Sequence, residues 1–194
     1  MPVLTAADIL PNDEYVAQRQ RFLSQMLSHK KVRSLRLGDA MTFLFENNVT
    51  MRFQIQEMCR IENIDTPEGV AHEVKTYSAL TTRPGTVAAT LLIEYDEEVE
   101  RKERLTAMVG IQDHVFLEVG DLDPVQVVLD DGQYNTERVS AVQFIQIPVS
   151  DEVQAALGSL STPARLVCTH PEYTASVALP NTLRAALLDD LAEN

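Results

Sequence analysis

The stretch that decides how this chain folds is Met41–Ile64, MTFLFENNVTMRFQIQEMCRIENI, which contains neither glycine nor proline. Large apolar side chains occupy every second position from Met41 to Phe45, as in a strand with one buried face. The tail QIQEMCR is rich in good helix formers, and the whole run is too long for an average strand. We therefore predict a strand that ends at Phe45 and a helix from about Asn48 to Glu62.

A hairpin is the alternative for the second part of this stretch. Asn47 and Asn48 would then form its turn, and alternate residues after the turn would point inward. On the favoured helix, Glu57 and Arg60 lie on one face, and Gln54 lies on the adjoining row. Such a group is able to bind a polar ligand or to position a water for acid–base chemistry. We favour the simpler interpretation, an ordinary ion pair between Glu57 and Arg60.

The regions on either side of this stretch indicate more helices before it and more strands after it. Helices are predicted after the capping signals at Asn12, Thr66 and Ser150, and a buried strand is predicted over Thr86–Tyr95. Short turns join most of the later strands, which is typical of antiparallel pairing. The prediction is an α+β fold, with helices concentrated in the N-terminal half and a mainly antiparallel sheet in the C-terminal half. We expect one globular domain over residues 1–194, with a possible sub-division near 81–86 into a helical part and a sheet-rich part.

The charge balance excludes several classes of partner. The chain has 16 basic and 29 acidic residues, a net charge of −13. Such a surface repels phosphate backbones and anionic lipid heads, so we expect no nucleic acid and no membrane as partners. The basic residues cluster weakly in SHKKVRSLRLG, residues 28–38. We favour the C-terminal end of a helix there, where cations complement the macrodipole, over a patch that holds one anionic group.

Cysteine usage and the start of the chain indicate a reducing compartment. The two cysteines, Cys59 and Cys168, stand alone in apolar surroundings, without CxxC or metal-ligand spacing. The first residues lack the basic start and apolar run of a signal peptide. We expect a cytoplasmic protein with no metal and no cofactor.

Candidate ligand-binding residues remain, although no motif marks a catalytic site. No glycine-rich phosphate loop and no GxSxG surroundings occur. Glu94 leaves a buried strand, where partial desolvation would raise its pKa, but we favour the simpler interpretation that it is the first solvated residue after the strand. His170 opens the turn HPEY, for which we favour a structural role, with Tyr173 as the anchor of a hairpin. The candidates for a site between the helical part and the sheet are Glu46, Gln54, Glu57, Arg60, Glu94 and His170.

Several segments together resemble one bacterial family. They are LTAADILPNDEY, LFENNVTMRFQIQEMCRIENI, LLIEYDEEVER, SAVQFI and HPEYTASVALP, in that order along nearly the whole chain. The family is the one called domain of unknown function 3501, which has no established activity and no catalytic residues to carry over. The resemblance implies that the gene lies beside genes for a rubrerythrin-like protein and for a heterodisulfide-reductase-like iron–sulfur protein. It therefore implies a redox setting.

Two functions from different classes follow as hypotheses. The first is a non-catalytic accessory protein that binds an iron–sulfur or di-iron, rubrerythrin-like redox partner. The second is a small-molecule-binding protein or enzyme that uses the polar candidates named above. The positions of these side chains in the structure distinguish the two hypotheses, because a ligand site requires them to converge in one pocket.

Overall fold

The computed structural model describes residues 4–78, 80, 83–129 and 137–193. Within these residues the chain forms six α-helices: α1 (Asn12–Arg33), α2 (Asn48–Glu62), α3 (Pro67–Ser78), α4 (Glu98–Ala107), α5 (Asp151–Gly158) and α6 (Asn181–Ala192). It also forms the strands β1 (Ser34–Leu37), β2 (Met41–Glu46), β3 (Thr86–Ile93), β4 (Val115–Val119), β5 (Val125–Gln126), β6 (Val128–Leu129), β7 (Val142–Pro148), β8 (Ala164–His170) and β9 (Tyr173–Ala178).

The strands form two antiparallel sheets, which confirms the predicted α+β class. The first sheet has the order β1-β2-β3-β7-β6, and the second has the order β5-β4-β8-β9. The β1–β2 hairpin opens the first sheet, and the predicted β8–β9 hairpin closes the second. The pairs β2–β3, β3–β7 and β4–β8 are also antiparallel, although long connections with helices, and not short turns, join their strands.

The junction between β2 and α2 follows from a local capping motif. The side chain of Asn47 accepts hydrogen bonds from the backbone N–H groups of Val49 and Thr50, at 3.1 and 3.2 Å. The hydroxyl of Thr50 accepts in return from the N–H of Asn47, at 3.0 Å. This reciprocal cap satisfies donors that a helix start leaves unpaired. The predicted helix is confirmed, and the hairpin alternative is wrong.

The apolar interior has a large and a small part. The large part fills the space between the sheets and their covering helices, and its fully buried members include Phe43, Leu91 and Ile145. The small part joins α2 and α3, where Ile55 and Cys59 pack with Val74. Residues 81 and 82, in the predicted joint, lie outside the described residues. The sub-division near 81–86 and the single domain stay predictions.

Helix α6 is tied to the rest of the fold by two buried polar side chains. The guanidinium of Arg184 donates to the backbone carbonyl groups of Ala156, Leu157, Ser159 and Thr162, at 2.5–3.2 Å. These carbonyl groups lie at the end of α5 and in the turn after it, where helix carbonyls lack partners of their own. The Arg184 side chain therefore takes the place of a helix C-cap.

The second of these side chains is Asp190, the centre of a buried group that we call the Asp190 cluster (Arg33, Asn47 and Asp190). Arg33 donates to both carboxylate oxygens of Asp190, at 2.5 and 2.8 Å. The amide of Asn47 donates to the same carboxylate, at 3.0 Å. The end of α1, the start of α2 and α6 are thereby joined through a single carboxylate.

Candidate functional site

Polar side chains join α2 to α1 and to the segment that precedes α1. The side chain of Gln56 bonds the backbone of Leu10 twice, accepting from its N–H and donating to its carbonyl, both at 2.8 Å. The amide of Asn12 donates to the carbonyl groups of Cys59 and Ile64, at 3.2 and 3.1 Å. Hydrogen bonds of polar groups in the stretch 41–64 therefore hold α2 against α1 and the segment before it.

Glu57 is the centre of the second polar group on this interface, the Glu57 cluster (Tyr15, Arg19, Glu57 and Arg60). Arg19 donates to both oxygens of the Glu57 carboxylate, at 2.8 Å each. The hydroxyl of Tyr15 donates at 2.5 Å, and Arg60 donates at 3.0 and 3.4 Å. The predicted ion pair between Glu57 and Arg60 is present, but the sequence analysis missed Tyr15 and Arg19.

The electrostatics of the Glu57 cluster keep its carboxylate charged. The hydrogen bond from Arg19, opposed by burial and aided by Arg60 and Tyr15, lowers the pKa of Glu57 to about 2. Burial and the hydrogen bond to Glu57 raise the pKa of the Tyr15 hydroxyl. Near neutral pH, Glu57 is thus ionised and Tyr15 is protonated. Neither group exchanges a proton easily, which makes the cluster a poor acid–base centre.

A cleft of about 650 Å³ lies beside this interface, and we call it the α1–α2 cleft. Its walls come from one face of α1, from the first turns of α2 and from the segment before α1. The rings of Tyr15 and Phe22 stack there, with centroids 5.5 Å apart. The lining residues are Asp8, Leu10, Tyr15, Gln18, Phe22, Gln25, Met26, His29, Val49, Arg52, Phe53 and Gln56.

His29 stands where the α1–α2 cleft approaches the Asp190 cluster. Its Nε2 atom lies 3.4 Å from Oδ1 of Asn47. Burial, followed by the positive charge of Arg33, lowers the pKa of His29. At neutral pH the imidazole is therefore uncharged, so it offers the cleft a polar group without a positive charge.

The six predicted site residues do not converge in the α1–α2 cleft. Within the part of the chain that the structure describes, none of the six lines it. Glu57 and Arg60 lie together on α2, behind the cleft wall that carries Tyr15, and Gln54 is half-buried on the same helix.

Glu46 and Glu94 occupy opposite ends of the β2–β3 strand pair. Glu46 is opposite Ala88, whereas Glu94 directly follows Ile93, the partner of Met41. The distance along the strand is roughly 20 Å at about 3.3 Å per residue. Glu46 accepts from the hydroxyl of Thr90 at 2.7 Å. These two carboxylates therefore belong to different surroundings.

Glu94 is held by two neighbours at the exposed end of the first sheet. The hydroxyl of Thr42 donates to it at 2.6 Å, and Arg36 donates at 3.1 Å. Half of the Glu94 side chain is open to solvent. This exposure confirms the favoured interpretation of Glu94, the first solvated residue after the strand.

His170 lies in the second sheet, where backbone groups bond both of its ring nitrogens. Its Nδ1 atom accepts from the N–H of Glu172 at 3.2 Å, which leaves the proton on Nε2, 3.3 Å from the carbonyl of Val109. Tyr173 donates to the carbonyl of Leu37 at 2.6 Å and accepts from the N–H of Ala40 at 2.9 Å. Tyr173 thus anchors the hairpin as predicted, and the structural role of His170 stays a prediction.

Neither cysteine offers reactive chemistry. Cys59 and Cys168 are both buried, and burial raises the pKa of both thiols. Across residues 4–78, 80, 83–129 and 137–193, no three His, Cys, Asp or Glu side chains are grouped so that they would hold a metal ion. No helix in the same ranges is long and apolar enough to cross a bilayer.

Comparisons with known proteins connect this architecture to a family. The chain resembles a crystal structure from Burkholderia pseudomallei K96243, which is described as a novel protein of unknown function. The two share 33% identity with a TM-score of 0.91, over 97% of this chain and 99% of the other. No match is found among curated proteins. The family described as protein of unknown function (DUF3501) matches residues 3–191, and the chain belongs to that family.

Proposed function

We propose that the protein is a non-catalytic accessory protein of the bacterial cytoplasm that binds a redox partner of the iron–sulfur or rubrerythrin-like class. One observation carries the non-catalytic part of this proposal. The carboxylate of Glu57 receives hydrogen bonds from Tyr15, Arg19 and Arg60, and its pKa is held at about 2. The strongest acid–base candidate thus has a structural role.

The other candidates support the same conclusion. The Nδ1 atom of His170 accepts from the N–H of Glu172, so this nitrogen takes up a proton only by losing that hydrogen bond. Glu94 is paired with Arg36 at the surface, and both cysteines are buried. A nucleophile within reach of a base, which covalent catalysis requires, does not occur among these groups.

The choice of a redox partner is supported by the family resemblance and by the charge of the chain. The resemblance implies gene neighbours that carry iron–sulfur or di-iron centres. A net charge of −13 favours fast, electrostatically steered association with a basic surface. Such steering predicts that the affinity for the partner falls as the ionic strength rises.

Affinity purification from the native host tests this proposal. The full chain is tagged, expressed at its natural level and recovered at low and at high salt, with an equally acidic, unrelated tagged protein as the control. We expect an iron–sulfur or rubrerythrin-like protein in stoichiometric amount at low salt only. Failure to recover either class at low salt overturns the proposal.

Small-molecule binding is a second candidate function, and the α1–α2 cleft favours it. A volume of about 650 Å³ lies within the range of about 300–1,000 Å³ that is usual for ligand sites. Native mass spectrometry of the protein, purified gently from its host, checks this candidate. A bound organic mass supports it, and a clean mass of the chain alone contradicts it.

A further inference from the structure

The α1–α2 cleft combines apolar walls with a polar rim. Leu10, Phe22, Met26, Val49 and Phe53 supply the walls, and together they offer aromatic, aliphatic and thioether surface. Such surface accepts the flat or chain-like body of an organic molecule. The glutamines Gln18 and Gln25 stand on the exposed side, where they leave the mouth open to water. The shape is that of a site for a molecule with one apolar and one polar end.

Two cations stand near the mouth of the cleft: Arg52 lines it, and Lys30 lies beside one of its lining residues, Phe53. Arg19 and Arg60 are both paired with Glu57. Among the described residues, in contrast, neither Arg52 nor Lys30 lies within ion-pair distance of a carboxylate. Lys30 stands instead over the ring of Phe53, 5.9 Å from its centroid. In a chain with a net charge of −13, two such cations beside an apolar cleft are an unusual local excess.

Among the described residues, Asp8 is the one carboxylate that lines the cleft, and it is held by its own turn. Its Oδ2 atom accepts from both the N–H and the hydroxyl of Thr5, at 2.8 Å each. The charge of Arg52 is a minor cause of the lowered pKa of Asp8, after the bonds from Thr5. Asp8 therefore reduces the positive potential near Arg52 without forming a direct ion pair.

The start of α2 supplies side chains to the cleft rather than a free helix end. Val49, Arg52 and Phe53 belong to the first two turns of this helix. Asn47 caps the first N–H groups of the helix and contacts the carboxylate of Asp190, which lies close to the positive end of the macrodipole. The guanidinium of Arg52 and the ammonium of Lys30 are therefore the groups that favour a negative charge at the rim.

We propose that the α1–α2 cleft binds a small amphipathic organic anion. Its apolar body, aromatic or acyl, lies between Phe22, Met26 and Phe53, and its carboxylate binds Arg52. The planar guanidinium matches a carboxylate with two parallel hydrogen bonds, which a lone ammonium does not provide. His29, which is partly buried and lines the cleft, contacts the ligand body.

This inference rests on the second candidate function and is independent of the redox partner. It predicts selectivity for charge as well as for shape. A neutral molecule with the same apolar body loses the charge-assisted hydrogen bonds and binds about tenfold or more weakly. An anion without an apolar body, such as acetate, loses the contacts with the aromatic walls.

Titration of the purified full chain with 2-naphthoate tests the proposal, with 2-naphthamide as the neutral probe and acetate as the small one. Binding is followed by isothermal calorimetry and by NMR shifts of the Phe22 and Phe53 rings. The central variant is Arg52→Met, which keeps an unbranched apolar stem. Arg165→Met is its matched control, because Arg165 is an exposed arginine that pairs with Glu118 in the second sheet.

We expect naphthoate to bind more tightly than both other probes, and Arg52→Met to weaken it about tenfold or more while Arg165→Met leaves it unchanged. The ring shifts are expected to place it in the cleft. The proposal is overturned if naphthoate does not bind at millimolar concentration, if naphthamide binds equally well, or if both arginine variants bind like the wild type. The Arg52 side chain is exposed, and matching thermal melting curves check that the variant folds. The affinity purification is repeated with Arg52→Met, so that loss of the ligand and loss of the redox partner are observed separately.

Discussion

The Asp190 cluster and the Glu57 cluster use the same chemistry in different surroundings. In each cluster, one carboxylate accepts two hydrogen bonds from the same arginine. It also accepts at least one hydrogen bond from another side chain. The side chains of Arg33 and Asp190 are only 5% and 4% exposed, whereas those of Arg19 and Glu57 are 35% and 14% exposed. Water is able to replace a lost partner in the second cluster but not in the first, so burial rather than bond count decides how much each contributes to stability.

Breaking the Asp190 cluster is expected to have the largest effect. Asp190→Ala leaves the guanidinium of Arg33 buried without its counter-charge, and removes the acceptor of Asn47. We expect the free energy of unfolding to fall by about 3–5 kcal/mol, measured by urea denaturation. Asp189→Ala is the matched control, because this neighbouring carboxylate is exposed, and its effect is expected to stay within about 0.5 kcal/mol. Equal effects of the two variants would contradict the assigned role of burial.

Glu57→Gln is expected to have an intermediate effect. The amide keeps the shape of the side chain but loses the charge that Arg19 and Arg60 contact. We expect a loss of about 1–2 kcal/mol in the free energy of unfolding, because these charge-assisted bonds are partly open to water. Glu62→Gln, an exposed position of the same helix, serves as the control. A loss as large as that of Asp190→Ala would mean that partial exposure does not weaken the cluster.

Acid is expected to remove the contribution of Glu57 without any mutation. The pKa of Glu57 is lowered from 4.5 to about 2 in the folded protein, so the unfolded chain binds the proton more readily. The stabilisation is therefore present above pH 4.5 and is lost as the pH falls toward 2. We expect the difference in urea midpoint between the wild type and Glu57→Gln to shrink between pH 5 and pH 2. A constant difference over this range would show that the charge of Glu57 does not carry the effect.

The exposed ion pair of Arg36 and Glu94 is expected to contribute less to the free energy of unfolding than either cluster. These side chains are 52% and 50% exposed. We expect Glu94→Gln to change the free energy of unfolding by less than about 0.5 kcal/mol, since surface ion pairs contribute little. Thermal melting at low and at high salt measures this small effect. A loss of several kcal/mol would indicate that Glu94 has a role beyond its surface pair.

The parts of the fold with local signals were predictable from the sequence. The helix from Asn48 to Glu62 depends on the cap at Asn47, which is its direct neighbour, and on the helix formers that follow. The start of α5 at Ser150 is equally local. The cap predicted at Asn12 is wrong by a residue, because Pro11 occupies the cap position of α1 without a side-chain bond. Where no side chain caps a helix start, the sequence contains little information about the exact residue at which the helix begins.

The partners of the candidate site residues were less predictable, because they are distant along the chain. Tyr15 and Arg19 reach Glu57 across 42 and 38 residues, and no spacing rule connects them. The α1–α2 cleft was missed for the same reason, since it depends on how two helices pack. Leu27 is a large apolar residue next to the buried Met26 in α1, yet it is 71% exposed. The face of α1 that packs is the one with Tyr15 and Met26, and one sequence does not show which face meets a neighbour.

The Arg184 side chain makes α5 dependent on a helix that follows it in the chain. The ribosome produces α5 before α6, so for an interval the carbonyl groups of Leu157 and Thr162 lack the donor that Arg184 provides. Asp190, on the same late helix, reaches back to Arg33 in the first helix. A nascent chain whose α6 segment is still inside the ribosome therefore lacks both connections. Arrested nascent chains are expected to stay sensitive to protease until α6 has left the exit tunnel, so the protein matures in one late step rather than piece by piece during translation.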